Sequence, residues 1–91
     1  MYNLIDHYED IHDCILRKYF TKGLEAINIF NSTDISTGIS MLRMSFYVKN
    51  HRKSLQPTFV LVIPNQVKNN ELEKTFNYVF TQIDKKLIEL F

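Results

Sequence analysis

Across residues 39–49 the side chains alternate. Leu42, Met44, Phe46 and Val48 fall on one side, and Arg43, Ser45, Tyr47 and Lys49 on the other. An extended chain turns successive side chains to opposite faces, so this pattern predicts a strand with one buried face. Such a strand cannot satisfy its own backbone or cover its own apolar side, and the rest of the chain must supply both neighbours and a covering layer. Residues 58–63 supply one neighbour, since they are β-branched or aromatic at nearly every position and lie between Pro57 and Pro64. Val60 and Val62 share one face, and Phe59, Leu61 and Ile63 the other. This strand is therefore expected to lie centrally or to be covered on both sides. Polar, basic residues 50–56 join the two strands as a hairpin.

The covering layer comes from the two ends, where the apolar period changes from two to about 3.6. Leu4, Tyr8, Ile11, Ile15 and Tyr19 have helical spacing, with Asn3 and Asp6 as a capping pair. Arg17, Lys18 and Lys22 crowd the last turn, and Gly23 is placed to end the helix in a left-handed conformation. At the other end Leu72, Phe76, Val79, Ile83, Leu87 and Leu90 form a seam, widened by Tyr78, Phe80, Ile88 and Phe91, behind a capping box of Asn70 and Glu73. Residues 24–30 fit either period. Read as a strand, they complete a three-stranded meander, with residues 31–38 as the turn. The expected fold is α+β, an N-terminal helix, a three-stranded antiparallel sheet and a long C-terminal helix (αβββα), with both helices on one face of a single domain spanning residues 1–91.

Composition bears on compartment. Cys14 is the only cysteine, so no intramolecular disulfide forms and a reducing, cytoplasmic setting is expected. Asp6, Glu9, Asp10 and Asp13 occupy a region where a secretory signal would be basic and then apolar, and no apolar run approaches membrane-spanning length. No membrane association is expected.

The groups most reactions need are sparse. Gly23 and Gly38 stand in separate turns and cannot form a phosphate-cradling loop, so no nucleotide cofactor is expected. One cysteine with His7, His12 and His51 matches no zinc spacing. Glu9 with His12 is half of a paired Glu-x-x-His arrangement whose other half is missing, so no metal is expected. Cys14 sits in an acidic helix two turns from His7, a poor setting for a thiolate nucleophile. These absences predict a protein without catalytic activity.

Two clues point to partners. The first is the apolar end Leu87, Leu90 and Phe91, which self-association into a homodimer would cover, together with the acidic stripe Asp6, Asp10 and Asp13, which suits a basic groove on a protein. The second is the basic stretch Arg43, Tyr47, Lys49, His51, Arg52 and Lys53, where cations could meet phosphates while Tyr47 stacks on a base. The element order resembles double-stranded-RNA-binding domains in outline, but Glu71 and Glu73 stand where that likeness wants phosphate-binding lysines, and the net charge is only +1. A small toxin-type ribonuclease using Arg43, Tyr47 and His51 is a further alternative. The preferred expectation is a small non-catalytic protein–protein interaction module. Small size and a wealth of Asn, Lys, Ile and Phe fit a phage or mobile-element accessory protein that inhibits a host factor.

Overall fold

A computed structural model describes residues 1–52 and 54–91. The chain forms β1 (Tyr2–Asn3), a 3-10 turn (Leu4–His7), α1 (Tyr8–Tyr19), a second 3-10 turn (Phe20–Lys22), β2 (Leu24–Thr33), β3 (Ser40–Val48), β4 (Phe59–Pro64), β5 (Gln66–Val67), a third 3-10 turn (Asn69–Glu71) and α2 (Leu72–Leu90). Strands β2, β3 and β4 make an antiparallel sheet in that order, and β1 pairs with β5. The αβββα layout expected from the sequence is the one observed.

The core explains why both helices share one face. Leu42, Met44, Phe46 and Val48 of β3, flanked by Ile27 on β2 and by Phe59 and Ile63 on β4, are buried against Ile11, Ile15 and Tyr19 of α1 and Val79, Ile83 and Leu87 of α2. Tyr19 joins the two helices. Its hydroxyl donates to the Phe80 carbonyl oxygen at 3.1 Å. Burial pushes its phenol pKa up, and the Asp84 carboxylate adds to the effect.

Four local expectations need correction. Asn3 does not cap a helix; it pairs with Gln66 in β1. The caps come from distant Asn65, whose backbone oxygen accepts from Leu4 N–H and whose side-chain oxygen accepts from Ile5 N–H, both at 2.9 Å. Strand β2 continues past Phe30 to Thr33, because Asn31 donates to Ser40 Oγ at 2.7 Å and to the Met41 carbonyl at 3.1 Å. The turn is thereby shortened to residues 34–39. There Ser36 donates twice to Asp34 Oδ1, which holds that carboxyl below the usual carboxylate range. The Asn70–Glu73 box does not form, since a 3-10 turn occupies that place with no side-chain cap. Finally, β4 lies at the edge of the sheet, not at its centre.

Gly23 does end the first helical segment as its position requires, with φ +104°. A Cβ there would meet the Phe91 ring at 3.0 Å, so the residue also makes room for the end of α2.

Candidate functional site

Strand register defines the sheet face turned away from the helices. Its cross-strand rows are Ala26 and Tyr47; Asn28, Ser45 and Val60; Phe30, Arg43 and Val62; and Ser32, Met41 and Pro64. Two-layer α+β domains usually make this face polar. Here seven of these positions are apolar or aromatic, and Arg43 is the one charge in the rows. Phe30 is 44% exposed and Val62 45%, with exposed Arg43 between them, while Ser45 in the adjacent row is buried. The Arg43 guanidinium has no ion-pair partner among the described residues, whose three ion pairs lie elsewhere. The accessible surface of 6208 Å² exceeds the roughly 5,600 Å² expected of a chain this size, as an uncovered sheet face would cause.

The basic stretch does not converge. Tyr47 is on the open face, where Arg52 lies 5.0 Å above its ring and Asn28 donates to its hydroxyl at 3.5 Å. Arg52 is also paired with Glu25 at 3.2 Å. His51 has left the strand and meets the Phe91 ring edge-on at 5.0 Å, beyond a turn held by Thr58, which donates to the His51 carbonyl and accepts from Val48 N–H. Lys49 lines a groove near the end of α2. Arg43 and Tyr47 are four residues apart on one strand, about 13 Å at 3.3 Å per residue. Neither a phosphate-tracking stripe nor a cleft of converging Arg, Tyr and His arises from this arrangement. Lys53 lies outside the described residues.

The apolar end of α2 also changes meaning. Leu87 is 6% exposed and belongs to the core, so it cannot serve as a partner contact in the folded chain. Leu90 is half-buried, and Phe91 rests over Gly23 and against His51 while remaining 69% exposed. Of the basic stretch, Lys49 shares a groove of about 830 Å³ with Leu87 and Phe91, lined also by Lys22, Asp84 and Ile88, whereas His51 and Arg52 line a second groove with Leu90. The first groove is lined by two lysines and an acid, so it presents no single sign of charge. Tyr78 and Ile88, expected to widen the α2 seam, point to solvent.

Asp6, Asp10 and Asp13 are all exposed, Asp6 on the first 3-10 turn and the others on α1. Asp10 and Asp13 border a shallow depression with Cys14, Arg17 and Lys18, so cations interrupt the acidic stripe. Cys14 is an exposed free thiol. The histidines have other partners: His7 stacks on Tyr2 at 4.5 Å, and His12 Nδ1 lies 3.2 Å from Asp13. Among the described residues no group of three or more His, Cys, Asp or Glu is arranged to hold a metal ion, and no helix is long and apolar enough to cross a membrane.

Sequence reasoning missed the open face as a site. The signal was present in Val60 and Val62, which make β4 apolar on both sides, and in the β2 position of Phe30. Compared with known protein families, curated proteins and solved structures, the chain matches none.

Proposed function

We propose that this chain is a non-catalytic protein–protein interaction module that binds through its open sheet face, with Phe30, Arg43 and Val62 at the centre. One observation carries the reading. Strand β4 is apolar on both sides, and only the side bearing Phe59, Leu61 and Ile63 is covered by the helices. A partner that covers Val60 and Val62 supplies the missing layer. An arginine framed by an aromatic and an aliphatic side chain is the composition of an interface anchor, and its unpaired guanidinium suits a protein surface bearing a carboxylate. An accessory role in inhibiting a host factor belongs to the same proposal, with the host factor as the covering protein.

Site-specific photocrosslinking tests it. A benzoylphenylalanine at Val62 should trap a discrete protein in cells that make the chain, whereas the same group at exposed Tyr78 on α2 should not. Equal trapping at both positions, or adducts at Val62 made only with nucleic acid, would remove the proposal.

A further inference from the structure

We infer that β2 is the seam of a homodimer, in which its outer edge pairs antiparallel with β2 of a second copy about a two-fold axis at Ile29. The hydrogen-bond pattern fixes which groups are available. Asp34 N–H bonds the Ile39 carbonyl at 2.9 Å, and from that pair the two-residue period makes Phe30 with Arg43 and Asn28 with Ser45 the bonded pairs of the β2–β3 ladder. The N–H and C=O groups of Ile27, Ile29, Asn31 and Thr33 consequently project away from β3. No other backbone group bonds to them among the described residues. The result is a ten-residue edge with no proline and no charged side chain from residue 26 to residue 33.

The opposite edge is different. Strand β4 has six residues, and Asn65 N–H bonding to the Ser40 carbonyl leaves Val60, Val62 and Pro64 as its outward positions, the last without an N–H. Proline and shortness protect that edge, whereas β2 has only a bulge at its start, between Leu24 and Ala26.

Self-pairing satisfies the side chains as well as the backbone. Only residues whose bonding groups point outward can pair across the seam, and centring on Ile29 overlaps residues 25–33 of both copies while sparing Leu24. Ile29 then faces its own copy, Ile27 faces Asn31, Asn28 faces Phe30, and Glu25 faces Thr33. No two like charges meet. Ile29, half-buried on the core side, extends the core across the axis, and the exposed Phe30 ring gains a neighbour on the open face. The second copy is thus the occupant that the charge pattern admits without a mismatch, and the pair makes one six-stranded sheet.

Light scattering on the full chain over a concentration series should give twice the 10.9 kDa monomer mass. Ile29→Lys and Ile29→Glu should each halve that mass with an unchanged circular dichroism spectrum. Mixing the two variants should restore the dimer, because opposite charges then face each other at the axis. Should either variant fail to fold, Asn31→Pro removes an outward N–H and should give the monomer, while Asn31→Ala, which loses the same side-chain bonds to Ser40 and Met41 but keeps that N–H, should remain a dimer. A wild-type chain that stays monomeric, or dimers that survive Ile29→Lys or Asn31→Pro, would overturn the inference. Val62→Lys separates this seam from the face proposed above: it should leave the dimer intact and abolish the crosslinked partner. Loss of the dimer on Val62→Lys would place the self-contact on the face and overturn the seam.

Discussion

Phe46 and Tyr47 are adjacent on β3 and face different surroundings. Phe46 is fully buried, with its ring stacked on Phe59 at 4.6 Å beneath two helices. Tyr47 is half-buried on the side turned away from the helices, where a guanidinium lies above its ring and an amide donates to its hydroxyl. Apolar patterning alone does not say which side of a strand the chain itself will cover. Coverage depends on how many layers the rest of the sequence can supply, and here two helices supply one.

Mutations along these two faces should rank accordingly. The largest effect is expected for Phe46→Ala, which removes a ring from close packing and should cost about 3–5 kcal/mol by denaturant unfolding; a loss below about 1 kcal/mol would mean that the two faces are not energetically distinct. Tyr47→Ala should cost about 1 kcal/mol, the worth of an exposed cation–aromatic contact, and Arg52→Ala in the same background should add only what its surface ion pair with Glu25 is worth, about 0.5 kcal/mol or less. The smallest effect belongs to Val62→Thr, which should stay within about 0.5 kcal/mol of wild type because the side chain already meets water. A larger loss in dilute monomer would show that the open face contributes to folding, and would weaken its reading as a binding surface.

Much of the architecture was legible in the sequence because period and punctuation agreed. Leu42, Met44, Phe46 and Val48 announced their strand, Gly23 announced the end of the first helical segment, and Val79, Ile83 and Leu87 announced the buried seam of α2. What could not be read were contacts set by distant residues. Asn3 looked like a cap because its short polar side chain precedes an apolar run, yet the amides it would have satisfied are taken by Asn65. Leu87 looked available because it lies near the end of a helix, yet helix rotation points it inward while Ile88 turns to solvent. For the candidate site, alternation placed Arg43 and Tyr47 correctly on the outer face. It could not show that His51 and Lys49 depart toward α2, because the turn that carries them is fixed by Thr58, seven residues beyond His51.

The Asn65 bonds to Leu4 and Ile5 also have a bearing on the order of events in folding. Their loop of about sixty residues is a long closure, so its entropic cost is met most easily once the sheet holds Asn65 through Ser40. Leu4 and Ile5 lack these partners until β4 has formed and carried Asn65 into place. The turn at Leu4–His7 is therefore placed to settle with β4 or after it, and until it does Leu4 stays outside the core and β2 lacks part of its cover.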